Sequence, residues 1–304
     1  MNGVLIVDKP AGMTSHDVVR RLRRLCKTRR VGHSGTLDPM ATGVLLVAVG
    51  EGTRVVQFLV DGDKTYRATL QFGAETTTQD AEGEVTNRRP TDHLEDSAVL
   101  LACQQMVGEL QQIPPMYSAI KIKGVALHRL ARQGIEIERP PRTVHIRRFT
   151  VENLALPQLS FEVECSKGTY VRTLCHDLGH ELGTAAHLSS LRRIRSGSFD
   201  IKEAVTLEWL EQANPQAISE KMLSVSSALR DYSACEVNEE GCEKLRHGIP
   251  PLVVHLTTEA HLDEGQKVLL TKNSQALAMA CFAPSRSKEK RGDFELLRVF
   301  NSGE

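Results

Sequence analysis

Apolar and polar residues alternate along this chain with more than one period, and each change of period marks a change of predicted element. The continuous run Gly3 to Val7 reads as a short buried strand, which Lys9-Pro10-Ala11-Gly12 turns away. Apolar residues then recur at Val18, Val19, Leu22, Leu25 and Cys26, the spacing of one helix face, with Thr14 or Ser15 as its cap. From Gly32 to Gly43 the text is glycine, serine, threonine and one proline, a polar loop feeding the apolar strand Val44 to Val49. Tyr66 to Phe72 alternates as a strand does, Thr76 to Gly83 is a polar loop, and Ser97 to Val107 is helical.

Residues 111 to 142 are bracketed by Pro114-Pro115 and Pro140-Pro141 and hold a short helix from Val125 to Gln133; they read as an insertion projecting from the body. Val144 to Val151 and Leu159 to Cys165 are two further strands. Lys167-Gly168 then turns into a helix with Val171, Leu174, Cys175, Leu178 and Leu182 on one face and Gly183 at its end. Beyond about residue 230 come short strand-like pieces, Gly265 to Leu270 and Ala276 to Phe282, which suggest a small β-rich module appended to a mixed α/β body. There is no internal repeat, and the one biased run is SRSKEKR at Ser285 to Arg291.

Composition narrows the class. A chain of 304 residues with 40% hydrophobic and 25% charged side chains can bury a core, which argues against disorder. Apolar runs such as Val44 to Val49 fall far below the roughly 20 residues of a bilayer-crossing helix. The start MNGVLIVDKP lacks the apolar core of an export signal, so a cytoplasmic protein is expected. Seven cysteines without a C-x-x-C pair read as reduced thiols. Net charge is zero, but residues 20 to 30 carry seven bases and no acid, residues 118 to 148 eight bases against two acids, and residues 203 to 243 nine acids against two bases. Such segregation suggests a polyanion-binding face; a solvated amphipathic helix explains the first cluster equally well.

Several familiar chemistries find no footing. HDLGHELGTAAH at 176 to 187 approximates the zinc pattern H-E-x-x-H, but Asp177 stands where the glutamate belongs, and Ala186 where a third histidine would. His176 and His180 read as part of a solvated helix face. Neither a phosphate-binding glycine loop, a dinucleotide fingerprint nor a G-x-S-x-G elbow occurs. What remains is GHSGTLDPMATGVL at 32 to 45. There Asp38, confined by Gly35 and Pro39 and preceded by His33, is a nucleophile, a general base or a turn and capping residue, and spacing does not choose among these.

That stretch has company. DKPAGMTSHDVV at 8 to 19, KTYRATLQFGAETTTQDAEGEV at 64 to 85, QIPPMYSAIKIKGVALHRLARQGIE at 112 to 136, CSKGTYVRTLCHDLG at 165 to 179 and HLSSLRR at 187 to 193 follow in order. Together with residues 32 to 45 they resemble the motifs of the TruB family of tRNA pseudouridine synthases. One departure is Thr77 within Thr76-Thr77-Thr78, where the family usually has aspartate, so that loop's contacts are not carried over.

The resemblance implies an α+β fold with a mixed, mainly antiparallel sheet flanked by helices. It implies a catalytic domain over residues 1–230 with a basic thumb insertion at about 111–142, and a small C-terminal PUA-like RNA-binding module over 231–304. By motif position Asp38 is the catalytic carboxylate and Arg172 its partner. Tyr66 stacks on a flipped uracil and assists proton movement at C5. Tyr170 and Leu191 line the pocket, His33 fills the space the nucleotide leaves, and Lys9 with Pro10 supports the floor. The basic segments with Arg192, Arg193 and Arg195 grip phosphate. The implied reaction isomerises the uridine at position 55 of the tRNA T-loop, needs no cofactor or metal, and is carried out by a monomer. The absence of long terminal extensions argues against a guide RNA. Rival readings are a zinc hydrolase built on His176 and His180 and a non-catalytic RNA-binding protein. Tyr66, Tyr117 and Tyr170, three of only four tyrosines, lie within the resembling stretches.

Overall fold

The computed structural model describes residues 1–122, 124–257, 261–286 and 292–300. Four strands open the main sheet: β1 (Gly3–Lys9), β2 (Val31–Ser34), β3 (Thr42–Val49) and β4 (Lys64–Phe72). The next pair, β5 (Ala74–Thr76) and β6 (Val85–Arg88), makes a separate hairpin. Then come β7 (Gly108–Gln112), the small hairpin β8 (Lys121–Ile122) and β9 (Val125–Ala126), β10 (Arg142–Ala155), β11 (Gln158–Cys165), β12 (Ala186–Ser196), β13 (Phe199–Asp200) and β14 (Val205–Thr206). The main sheet runs β14-β1-β3-β12-β4-β11-β10-β7, with β2 on β3 and β13 on β12. Only β1–β14 and β3–β12 pair in parallel, so the sheet is mixed and mainly antiparallel. A second sheet, β15 (Ser233–Glu236), β16 (Lys267–Lys272), β17 (Gln275–Phe282) and β18 (Phe294–Val299), forms the C-terminal β module.

Burial explains which strands were readable. On one face, helices Ser15–Leu25, Asp96–Gln105 and Val171–Glu181 pack on Leu5, Val7, Leu45, Val47, Tyr66, Ala68 and Leu70. On the other, Val4, Ile6, Val44 and Leu46 meet Phe58 and Leu229, with Leu269, Met279 and Phe300 of the C-terminal module. β1 and β3 are therefore covered on both faces and are written as unbroken apolar runs. β4 is covered on one face only, and Arg67, Thr69 and Gln71 point the other way, hence its alternation.

The first helix starts as its residues dictate: the Thr14 side chain accepts from Asp17 N, and Asp17 answers to Thr14 N, a complete capping box. Two expectations change. Residues 31–34, within and beside the expected loop, form strand β2 against β3, because backbone pairing with a buried partner outweighs their weak strand propensity. Residues 186–196, too polar for an apolar run, form the central strand β12. The segment 113–141 leaves and re-enters the sheet at paired residues Gln112 and Arg142, and its helix is shorter than expected, Leu127–Ala131. All seven cysteines are free, no helix among the described residues is long and apolar enough to cross a membrane, and most of the Ser285–Arg291 run lies outside the described residues.

Where β3 and β12 run parallel, Gly43 sits opposite Arg193 at φ +103°, and a Cβ there would lie 2.1 Å from the Arg193 carbonyl oxygen. Gly43→Ala is predicted to destabilise the fold by on the order of 3 kcal/mol, through backbone strain and a separated strand pair, read as a lower urea midpoint with unchanged slope. An unchanged midpoint contradicts the strand packing described.

Candidate active site

Asp38 lies in the tight connection between β2 and β3, and four backbone anchors shape that connection. Ser15 Oγ, at the start of the first helix, accepts from Leu37 N at 2.8 Å and donates to Leu37 O at 3.1 Å. Gly12 N donates to Pro39 O at 2.9 Å, and Ala41 N closes a turn on Asp38 O at 3.1 Å. Lys9, wholly buried at the end of β1, directs its ammonium to the carbonyls of Pro10 (2.8 Å), Met13 (2.7 Å) and Pro39 (3.2 Å). Burial lowers the Lys9 pKa to about 8, with the nearby Asp38 carboxylate pulling the other way. The lysine thus ties the end of β1 to the loop that carries Asp38.

Arg172 enters from the first turn of helix Val171–Glu181 and meets the carboxylate with both sides of its guanidinium. Nη2 donates to Asp38 Oδ1 at 3.4 Å, and Nε stands 3.0 Å from Oδ2, a charge contact rather than an aligned hydrogen bond. The remaining donors are spent on Tyr117 O (2.8 Å), Thr78 O (2.9 Å) and Asp80 Oδ2 (3.3 Å). The Arg172 side chain is 4% exposed and Asp38 31%, so the arginine is embedded while its partner keeps an exposed face. Burial raises the Asp38 pKa, and Arg172 works against that rise.

Asp80 is the member that pattern reading passed over. It is 3% exposed, and it lies in the quoted stretch 64 to 85 without any periodicity to single it out. Its Oδ1 accepts from Thr78 Oγ1 at 2.5 Å and from Glu82 N at 3.1 Å, while Thr76 Oγ1 donates to the Asp80 carbonyl at 2.6 Å. The loop is therefore held by the flanking threonines and Asp80, with no aspartate needed at position 77. Gln112 was also missed: its amide brackets Tyr170, accepting from Tyr170 N at 2.8 Å and donating to Tyr170 O at 3.1 Å.

The other expected residues gather around this pair by differing degrees. Tyr66, on β4, is 9% exposed; burial raises its pKa, while the Arg193 guanidinium opposes. Tyr170 caps the Arg172 helix and is likewise shifted up by burial. His33, on β2, is half-buried with Nδ1 unpartnered, and burial followed by the Arg193 charge holds its pKa down, so the ring is neutral. Leu191, on β12, is 8% exposed and walls a cavity of ≈500 Å³ beside the Asp38 loop, together with Gly12, Met40, Glu82 and Arg192. Asp38 itself is not in the wall of that cavity.

One expectation fails. Arg193 is 1% exposed and donates to Val44 O at 2.7 Å and Gly35 O at 3.0 Å, so it props the Asp38 loop and cannot reach a phosphate. Arg192 and Arg195 are half-exposed but already paired, with Asp8 at 2.7 Å and Glu164 at 2.5 Å. In the first basic cluster, Arg20, Arg21 and Arg30 have carboxylate partners, whereas no ion pair among the described residues engages Arg24, Lys27 or Arg29. In the insertion the same holds for Lys121, Arg129 and Arg132, while Arg139 pairs with Glu136.

Comparison with known proteins settles the class. The sequence model described as TruB family pseudouridylate synthase (N terminal domain) matches residues 23–171, and that described as tRNA pseudouridylate synthase B C-terminal domain matches 172–233. The protein is a pseudouridine synthase, an isomerase. It is 53% identical over 305 residues to the tRNA pseudouridine synthase B of Syntrophotalea carbinolica, covering 100% of this chain and 99% of that one. Against the protein of the same name from Geobacter sulfurreducens it is 41% identical, covering 99% of this chain and 100% of the other. Among solved structures, a chain of a Cbf5-Nop10-Gar1 complex superposes with a TM-score of 0.77 at 26% identity, covering 98% of this chain and 84% of its own. The chain belongs to the TruB family.

Two outcomes follow from the geometry. If reaction requires ionised Asp38, the acid limb of kcat/KM against pH lies above the ordinary carboxylate value of 3.8, because burial raises the pKa. Arg172→Gln removes the charge that opposes the rise and moves the limb further up; a limb at or below 3.8 in the parent contradicts this. Separately, Arg172→Lys cannot reproduce the forked contacts and is predicted to lower kcat/KM on the order of 100-fold with the fold intact by circular dichroism.

Proposed function

We propose that this chain converts the uridine at position 55 of the tRNA T-loop to pseudouridine, with Asp38 as the catalytic carboxylate. The observation that carries the reading is the Arg172–Asp38 contact at 3.0 Å, a partly exposed carboxylate set against an embedded guanidinium. The relatives at 41% and 53% identity are named tRNA pseudouridine synthase B, which supports tRNA as the substrate.

The reaction breaks the bond from ribose C1′ to uracil N1, turns the base and rejoins the sugar through C5. It is an isomerisation with no net redox change, so the proposed mechanism uses side chains alone. Attack on the ribose, addition to the uracil and abstraction of a sugar proton all require the Asp38 carboxylate in its charged form. Tyr66 offers a flat face for the extruded uracil and a hydroxyl for proton movement at C5, and its raised pKa keeps that hydroxyl protonated. Tyr170 and Leu191 complete the apolar walls, neutral His33 stacks in the space left in the RNA loop, and Lys9 fixes the floor. Extruding the base costs a few kcal/mol, which contacts elsewhere must offset. Loops lower that cost.

The reading also assigns regions. Residues 1–230 are the catalytic domain, the 111–142 insertion is a thumb whose Lys121, Arg129 and Arg132 grip the phosphate backbone, and the β module after residue 231 is a PUA-like RNA contact. Arg24, Lys27 and Arg29 continue the basic face. The enzyme acts as a cytoplasmic monomer without guide RNA.

The test is tRNA labelled with tritium at uracil C5. Rejoining at C5 releases the label to water, so the parent protein is predicted to release it. Asp38→Asn is predicted to bind the same tRNA and release none, measured by filter binding and by tritium in the aqueous phase. Normal release by Asp38→Asn overturns the assignment of the carboxylate, and absence of release by the parent overturns the activity.

A further inference from the structure

We propose that Glu75, His176 and His180 form a binding site for one divalent transition-metal ion of the zinc class, tying the active-site helix to the β5–β6 hairpin. His176 and His180 are one helical turn apart on the helix Val171–Glu181, and their rings lie 4.3 Å apart, tilted by 36°. Glu75 comes from β5 and points the same Oε2 at both rings, 3.4 Å from His176 Nε2 and 2.9 Å from His180 Nε2. The three ligand atoms all fall within 4.8 Å of one another.

These separations suit a shared ion. Around tetrahedral zinc, with ligand bonds near 2.0–2.1 Å, adjacent donor atoms stand about 3.3 Å apart. The two contacts, 3.4 and 2.9 Å, lie on either side of that figure. Two imidazoles and one carboxylate favour zinc, nickel or copper over magnesium or calcium, which prefer all-oxygen sets. The side chains are 27%, 43% and 17% exposed for His176, His180 and Glu75, so an ion can enter and the remaining coordination positions face solvent.

A further contact supports the assignment. His176 Nδ1 is 3.3 Å from Asp177 Oδ1, and an imidazole donating there carries its proton on Nδ1. A carboxylate behind a ligating histidine is the usual companion of a metal. The H-E-x-x-H resemblance lacks a third ligand in sequence, with Ala186 where a histidine would stand; in space a carboxylate, Glu75, arrives from another strand.

The placement matters for the fold around Arg172. Glu75 is the middle residue of β5, the strand that leads into Thr78 and Asp80, both partners of Arg172, and His176 lies one turn beyond Arg172 on the same helix. An ion bridging Glu75 to the two histidines therefore fastens together the two elements that hold the guanidinium. Its role is structural, and no step of the isomerisation passes through it.

The test uses the full-length protein, stripped with EDTA and dialysed, then titrated with zinc chloride by calorimetry and followed by thermal melting. One zinc per chain and a melting midpoint raised by several degrees at saturation are expected, since a ligand that binds only the folded state stabilises it. Magnesium chloride should give neither effect. His176→Gln/His180→Gln should lose the single-site titration and the zinc-dependent shift while melting like the parent in EDTA. Glu75→Gln, which keeps the side-chain shape, should weaken zinc at least tenfold. Zinc binding of unchanged strength in the histidine double variant overturns the proposal, as does a parent protein whose midpoint zinc leaves unmoved; the latter result marks His176 as merely protonated against Glu75.

Discussion

A single guanidinium organises the centre of this molecule. Arg172 is 4% exposed, and burying a charge that deeply is tolerable only when it is paired and hydrogen-bonded. Its contacts draw on three separate places in the chain: Asp38 from the β2–β3 connection, Thr78 and Asp80 from the loop after β5, and Tyr117 from the insertion. Segments distant in sequence are thereby fixed to one planar group. The two carboxylates are not equivalent, because Asp80 is buried with its oxygens already occupied, whereas Asp38 keeps an exposed face. The asymmetry leaves one anion anchored as structure and the other available for chemistry.

Around this centre the fold supplies backing rather than further reactive groups. Lys9 and Arg193 are both cations sealed in the interior, and both donate to carbonyls of the segment that carries Asp38 or of the strand beside it. Gly43 allows β12 to approach β3 closely enough for Arg193 to arrive there. Positive charge near Asp38 is thus permanent and preorganised, which is the arrangement that stabilises an anion without rearrangement during reaction. The apolar strands β1 and β3 give that assembly a rigid base, being covered by helices on one side and by the C-terminal module on the other.

Much of this was legible in the residues, for identifiable reasons. Strands buried on both faces are written as apolar runs, and the Val171–Glu181 helix shows its inward stripe and its terminal Gly183 plainly. Asp38 and Arg172 were singled out by motif resemblance, and the structure brings them together. Asp80 and Gln112 were not singled out, and Ser15 was read only as a candidate helix cap, because their importance lies in which distant backbone or charge they meet, and no local period encodes that. Arg193 misled for the same reason: in an arginine-rich stretch it looks like its exposed neighbours, while the strand alternation of β12 turns it inward. Strand β12 as a whole was hidden because polar residues pair as well as apolar ones when the partner strands are already in place.

The central claim is that Asp38 stands where the sugar–base bond of an extruded uridine must lie. The most direct measurement is a crystal structure of the Asp38→Asn protein bound to an RNA hairpin with the T-arm sequence. The account predicts the target nucleotide flipped out, its uracil against Tyr66, and its ribose C1′ or the base within about 3–3.5 Å of the residue 38 side chain. A hairpin bound with that uridine still stacked in its loop, or seated in a pocket that residue 38 and Arg172 do not line, contradicts it.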